Sequence, residues 1–288
     1  MQTEETMNSI KDTFKLYNGV EIPCMGLGTW QSKDEVATLS VLSALSHGYR
    51  LIDTAAAYGN EKGVGEGVNT SGLDRKEIFV TSKLRNADHG YKSTLAAFEG
   101  TLERLGLDYL DLYLMHWPNP VQYRFMWKKA MWETWRAFEE LYGNGKIRAI
   151  GVSNFMPHHI EALMETATVK PMVNQLKLCP GITQTEAVGY CRKNDIAVEA
   201  YSPFGTGKIF ASEVMKKLAE KYGKTVGQLC LRWCLQNGFV SLPKSANPMR
   251  IKANTEIFDF EISAEDMNVI STLEGFGGEL PDPDNILF

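Results

Sequence analysis

The chain is short of several things, and each shortage removes a class of answer. Its five cysteines, Cys24, Cys179, Cys191, Cys230 and Cys234, are odd in number and contain no CxxC pair, so no disulfide framework is expected. Cys230 and Cys234 share a helix face at i, i+4, but no histidine stands at zinc-site spacing from them. They read as reduced core thiols, and no metal is expected. No apolar stretch reaches membrane-spanning length, and residues 1–12 are polar and acidic without the layout of a signal peptide; a cytoplasmic protein with no membrane partner is expected. Positive charge is not in excess: a formal net charge of -5 argues against nucleic acid as the main partner. No linker, low-complexity tract or short-period repeat divides the chain, so 1–288 reads as one domain. A GxGxxG dinucleotide fingerprint is missing from the first strand-helix junction, Gly28-Thr29-Trp30-Gln31-Ser32. The glycine run Gly63-Val64-Gly65-Glu66-Gly67 lies inside a predicted helix at the wrong spacing and is read as close helix packing.

What the chain does have is alternation. Residues 14–17 and 20–22 flank Asn18-Gly19, a dipeptide expected to take positive φ at both central positions of a tight hairpin turn. Short apolar strands are then expected at 24–28, 51–53, 78–83, 110–115, 149–153, 172–175, 197–201 and 239–242. Amphipathic helices are expected between and after them, at 34–47, 60–68, 91–105, 128–142, 158–166, 185–193, 212–222, 226–237, 249–257 and 264–273. Apolar strands separated by helices pair in parallel through right-handed crossovers. Eight of them in a chain of this length point to an α/β fold, a (β/α)₈ TIM barrel with an N-terminal β-hairpin, ahead of an open doubly wound sheet.

Three strand ends carry ionisable groups. Leu51-Ile52-Asp53, the segment closing on Lys83 and the segment closing on His116 each end an apolar run in a polar residue, and Tyr58 follows just past the first of them. Parallel strands bring those ends to one face. Singly, each residue is better explained as a cap, a packing aromatic, a solvated cation or a core histidine; together they are hard to attribute to packing. A phenol is a poor acid at neutral pH unless its anion is stabilised. Lys83 is expected to lower the Tyr58 pKa, Asp53 to hold Lys83, and His116 to hydrogen-bond the substrate oxygen or relay the proton. Such a group delivers a proton to a developing alkoxide, and hydride transfer to a carbonyl is the partner step that fits.

The motifs resemble those of the aldo-keto reductases, in that family's order and over nearly the whole chain: Gly26-Leu27-Gly28-Thr29, the 53–61 stretch Asp-Thr-Ala-Ala-Ala-Tyr-Gly-Asn-Glu, the 110–118 stretch ending His116-Trp117-Pro118, Gly151-Val152-Ser153-Asn154-Phe155, Asn174-Gln175, Tyr201-Ser202-Pro203 and Pro243-Lys244-Ser245. The resemblance implies an extended NADPH, with NADH as a second candidate, bound at the C-terminal face of the barrel. It makes Tyr58 the proton donor with Lys83, Asp53 and His116 in support. Ser153, Asn154 and Gln175 match residues that hold the nicotinamide carboxamide, and Tyr201 the aromatic under the ring. Ser202, Pro203, Phe204 and Gly205 open a 202–209 loop matching a pyrophosphate-crossing segment, and Gly28, Thr29, Trp30 and Asp53 are also expected along the cofactor. Lys244, Ser245, Asn247, Arg250 and Asn254 resemble the cradle for the adenosine 2′-phosphate and adenine.

The chain departs from the family's usual pattern at Lys177 and Cys179, where an acidic residue and a histidine are common, and at Ala253, where an acidic residue often contacts adenine. Trp30 and Trp117, with Tyr58 and His116, match substrate-pocket positions; Tyr123, Phe125 and Trp127 read as packing within their own loop. The stretch after Leu273 is short, which implies a small lid and an open pocket, as in microbial members acting on small aldehydes, ketoaldehydes or diketo sugar acids. A monomer is expected. Two other uses of such a barrel stay open: a cofactor-binding regulatory protein with slow turnover, and an isomerase or lyase using the lysine with the tyrosine or histidine.

Overall fold

Two short strands, β1 (Thr13–Lys15) and β2 (Glu21–Pro23), open the computed structural model, which describes residues 7–288. Part of the polar N-terminal stretch, residues 1–6, therefore lies outside the described residues. The two strands pair antiparallel as expected, Lys15 opposite Glu21, but the turn differs from the expectation. Gly19 takes a left-handed φ of 87° and Asn18 does not. Gly19 N–H donates to the Leu16 carbonyl at 2.8 Å, while the Asn18 side chain accepts from Val20 N–H at 3.1 Å and donates to the Arg148 carbonyl at 3.0 Å. An asparagine that satisfies nearby backbone groups in this way needs no left-handed conformation, and one glycine suffices.

Eight parallel strands follow in chain order around one sheet: β3 (Gly26–Gly28), β4 (Leu51–Asp53), β5 (Phe79–Leu84), β6 (Leu110–Met115), β7 (Ile147–Ser153), β8 (Val173–Lys177), β9 (Ala197–Tyr201) and β10 (Val240–Leu242). Single parallel bridges join Met25 to Ser241 and Gly28 to Lys244, with Ser241 N–H on the Cys24 carbonyl at 3.0 Å and Gly28 N–H on the Pro243 carbonyl at 2.9 Å. They close the ring. β5 and β6 are buried along their whole length, as strands walled by helices outside and by side chains inside must be.

The outer layer consists of α1 (Asp34–Ser46), α2 (Glu61–Asn69), α3 (Tyr91–Leu105), α4 (Trp127–Gly143), α5 (Pro157–Met164), α6 (Thr185–Lys193), α7 (Glu213–Tyr222), α8 (Val226–Gln236), α9 (Pro248–Ala253) and α10 (Ala264–Ser271). α9 is shorter than its sequence pattern: past Ala253 the bonds tighten to Thr255 N–H on Lys252 and Glu256 N–H on Ala253, and Ile257 turns into the core. The glycines of α2 are packing glycines, as expected. A Cβ on Gly63 would stand 2.2 Å from the Asp34 carbonyl oxygen and one on Gly65 2.0 Å from that of Leu105, so α2 touches α1 and the end of α3 backbone to backbone. All five cysteines are free and buried.

Candidate active site

The loop that carries Tyr58 is fixed on both flanks. Asn60 is fully buried, accepts from Thr54 Oγ1 at 2.8 Å and donates to the Thr29 and Ser32 carbonyls at 2.8 and 3.0 Å. Glu61, also buried, accepts from Ser82 Oγ at 2.6 Å and pairs with Arg104 Nε at 2.7 Å. Between Thr54 and Asn60, Ala56–Tyr58 makes one 3₁₀ turn ended by left-handed Gly59, which presents the half-buried phenol above β4 and β5. Buried polar networks with every member satisfied hold a single geometry.

Lys83, 0% exposed, rises from inside β5. Its ammonium donates to both oxygens of Asp53 at 2.8 Å, to the Thr54 carbonyl at 2.9 Å and to the Tyr58 hydroxyl at 3.3 Å. Burial works against its charge, but Asp53, Tyr58 and Glu199 outweigh burial and its pKa is raised. The expected lowering of the Tyr58 pKa requires correction. Lys83 does pull it down, yet burial acts more strongly in the opposite direction and Asp53 adds to it, so the phenol lies above its ordinary value. Tyr58 therefore holds its proton at neutral pH, with an ammonium in place for the anion that forms when the proton leaves. The His116 ring sits edge-on to the Tyr58 ring, centroids 5.9 Å apart. Burial and the neighbouring Lys83 push its pKa down to about 3, which makes it a neutral imidazole: a hydrogen-bond partner and not a charged acid.

A second group lies on β7 to β9. Ser153 Oγ donates to the Gln175 carbonyl at 3.0 Å; Asn154, left-handed at φ 62°, gives its amide to the His116 carbonyl and to Ser153 Oγ at 3.1 Å. Its Oδ1 accepts from the Tyr201 hydroxyl at 2.8 Å, which fixes that ring across the mouth. Gln175 Nε2 donates to Asp53 and to Glu199, each at 2.9 Å, and so ties this group to the Lys83 group. Its Oε1 accepts nothing among the described residues and is available to a ligand's amide. Glu199 is absent from the sequence expectations. Its signal was a lone acid inside the apolar run of β9, two residues before Tyr201 and hence on the same strand face.

On the seam between β3 and β10, Gly28 lies beside the Lys244 side chain, and Lys244 and Arg250 are exposed with no ion-pair partner among the described residues. Ser245 Oγ accepts from Asn247 N–H and the Asn247 side chain from Arg250 N–H, each at 3.1 Å, which caps α9. Asn254 ends α9 at its C-cap. Ser202, Gly205 and Thr206 are left-handed, so the loop of Ser202, Pro203, Phe204 and Gly205 turns sharply back over the strand ends. Thr29 is buried, with its hydroxyl committed to the Asp53 carbonyl at 3.0 Å. This donor set fits a nicotinamide dinucleotide phosphate: an open amide acceptor and a fixed phenol at one end, two unpaired cations at the other.

Residues 274–288 are laced down onto the loops beside the site. Asp284 accepts from Asn119 Nδ2 at 3.1 Å and from the Nε2 atoms of His158 and His159 at 3.0 Å; Arg124 reaches the Ile286 carbonyl, and Asn86 the Phe288 carbonyl at 3.1 Å. Trp117 is buried edge-on against Phe288, while Trp30 stays half exposed. The two histidines and Asp284 stand close enough to hold a metal ion. His159 Nδ1, however, accepts from Met156 N–H at 3.1 Å, so the ring's single proton is on Nε2, the atom a metal would need. Lys177 extends to the Glu279 carbonyl and Cys179 is buried; these two residues serve local contacts with the tail. Tyr123 and Trp127 pack, but not within their own loop: Tyr123 stacks on His89 from the loop after β5, and Trp127 lies edge-on to His159 of α5. Phe125 is a correction: its side chain is fully exposed, because the 3₁₀ turn Val121–Met126 points it outward.

Residues 24–274 match the Aldo/keto reductase family. The chain is 52% identical to glyoxal reductase of Bacillus subtilis (strain 168) over 281 residues, 97% of this chain and 99% of that one. It is 40% identical to the methylglyoxal reductase DkgA of Escherichia coli (strain K12) over 272 residues, 94% and 96% of the two chains. Among solved structures, a mutant of Gox0644 in complex with NADPH superposes with a TM-score of 0.89 at 37% identity, covering 96% of this chain and 99% of that one.

Proposed function

From the premise that the chain belongs to the aldo/keto reductase family, and is an oxidoreductase that reduces carbonyl groups with NADPH, we propose that Tyr58 delivers the proton and that the substrate is a small aldehyde or dicarbonyl. The observation that carries the first part is the Lys83 ammonium, pinned by Asp53 and 3.3 Å from a phenol that still holds its proton. NADPH supplies the hydride when bound. Tyr58 gives its proton to the carbonyl oxygen as negative charge gathers there, and Lys83 stabilises the phenolate left behind. Asp53 keeps the ammonium charged and aimed. His116, as a neutral imidazole, hydrogen-bonds the same oxygen and positions it under the phenol.

Ser153, Asn154 and Gln175 are assigned to the carboxamide, Tyr201 to the ring face, the 202–205 turn to the pyrophosphate, and Lys244 and Arg250, with Ser245, Asn247 and Asn254, to the 2′-phosphate end. Gly28, Thr29, Trp30 and Asp53 complete the proposed cofactor path. Trp30 and Trp117 wall the substrate side. Two of the relatives are named for glyoxal and methylglyoxal, which supports compact carbonyl substrates. We take 1–288 as one catalytic unit, acting as a cytoplasmic monomer.

The test is a comparison of kcat/KM by NADPH absorbance for glyoxal, methylglyoxal, short aldehydes and bulky aromatic ketones, with NADH in parallel. Small dicarbonyls should lead. A bulky ketone with the highest kcat/KM would overturn the substrate assignment.

A further inference from the structure

Glu199 is a buried acid that proton delivery by Tyr58 leaves unused. It is 0% exposed and faces the barrel interior one strand step below Tyr201. Its Oε2 accepts a single bond, from Gln175 Nε2 at 2.9 Å, and its Oε1 has no partner among the described residues. Among the described residues no cation stands within ion-pair distance of it: the Lys83 protons are spent on Asp53, on the Thr54 carbonyl and toward Tyr58. The same Gln175 amide also donates to Asp53, so two carboxyl groups share one neutral donor while the one nearby ammonium already balances one of them. A second bare carboxylate there would be a buried, half-satisfied charge beside a like charge; taking up a proton removes that charge and the repulsion with it. Burial first, and Asp53 second, raise its pKa to about 8.

We propose that Glu199 carries a proton at neutral pH beneath the nicotinamide and releases it when the ring is the oxidised, cationic form, so that the protein's preference between NADP+ and NADPH depends on pH. The inference rests on the reading that the ring stacks on Tyr201. The reduced ring is neutral and the oxidised ring carries one positive charge, so an ionised Glu199 below it attracts only the oxidised form. Linkage is reciprocal: binding of NADP+ sends the Glu199 proton to solvent. The phosphates are common to both cofactor forms and cancel in the ratio of affinities. Glu199 is a positioning residue in this account, acting through charge and through the Gln175 amide that it holds.

The charged groups facing Glu199 are Asp53 from β4 and Lys83 from β5; β8 presents the uncharged Gln175 and β10 the apolar Val240. His116 is neutral throughout the window, and Tyr58 and Tyr201 both lie above the ordinary phenol value. Lys177, the next interior step of β8, is the other ionisation to separate, since burial lowers its pKa.

Two measurements decide the matter. Infrared titration of the cofactor-free protein should show a buried carboxylic-acid carbonyl band at neutral pH that fades as pH rises through about 8 and is absent from Glu199→Gln. Fluorescence titrations should show the NADPH-to-NADP+ ratio of dissociation constants rising by about threefold or more from pH 6.5 to 9, with a flat ratio in Glu199→Gln and a retained rise in Lys177→Met. Absence of the band, or a rise that persists in Glu199→Gln, would overturn the proposal. A band that titrates beside a flat wild-type ratio would overturn it at a different point, by removing the nicotinamide from Tyr201. The infrared titration of the unaltered protein stands even if the variant does not fold.

Discussion

Tyr58 is stored as an acid. Its neighbours do not make it ionise in the resting site, because burial and Asp53 together outweigh Lys83; in the proposed reaction they make the phenolate tolerable once the carbonyl has taken the proton. Removing that one oxygen should lower the carbonyl-reduction rate constant by about 10²–10⁴-fold, while NADPH binding, followed by fluorescence, stays close to the wild-type value. Near-normal turnover of Tyr58→Phe would end the assignment. At this scale the sequence was informative where a residue closes an apolar run or sits in a dense motif, as Asp53, Lys83, His116 and Tyr201 do. It was silent about what the residues around them choose. That Asn18 caps its own turn, that Phe125 points outward and that the balance on Tyr58 tips upward each depend on which neighbours arrive from elsewhere in the chain.

Among the elements, α2 shows how a loop's precision is secured from behind. Its glycines let it lie directly on α1 and the end of α3, and its first residue, Glu61, anchors the loop that presents Tyr58. Gly65→Ala places a methyl group 2.0 Å from the Leu105 carbonyl, and backbone cannot rotate aside as a side chain can. The substitution should cost about 1–3 kcal/mol of stability by overpacking, read as a lower denaturant midpoint; an unchanged midpoint would mean that α2 has room the structure does not show. Strand and helix positions were readable from periodicity because burial on both faces leaves a continuous apolar run. The fastening of the tail was not readable. Asn86, Asn119, Arg124, His158 and His159 are unremarkable polar residues until folding brings Asp284, Ile286 and Phe288 to them.

For the whole molecule, acid should be the weak side. Three histidines are held neutral: burial pushes His89 and His116 down to about 3, and burial, against the pull of Asp284, takes His159 to about 4. The unfolded chain protonates all of them near pH 6.5, so as pH falls below that value the unfolded state binds protons that the native state refuses, and stability declines; the His159 share levels off near pH 4 and the His89 and His116 shares near pH 3. Above pH 6.5 these groups contribute no slope. Melting temperatures between pH 7 and 4 should follow that decline, and His89→Gln should flatten it; an equal slope in the variant would remove His89 from the account. The (β/α)₈ architecture was legible because strand count, strand length and the order of motifs agree.

The single bridges that close the ring carry one more consequence. Met25 must find Ser241, and Gly28 must find Lys244, across more than two hundred intervening positions, and contacts that distant are slow to form. On the ribosome, β3 therefore leaves with its outer edge unpaired and waits until nearly the whole chain has followed. An unpaired strand edge is the hazard that chaperones exist to cover, and the nascent chain is most exposed to it just before residue 244 emerges.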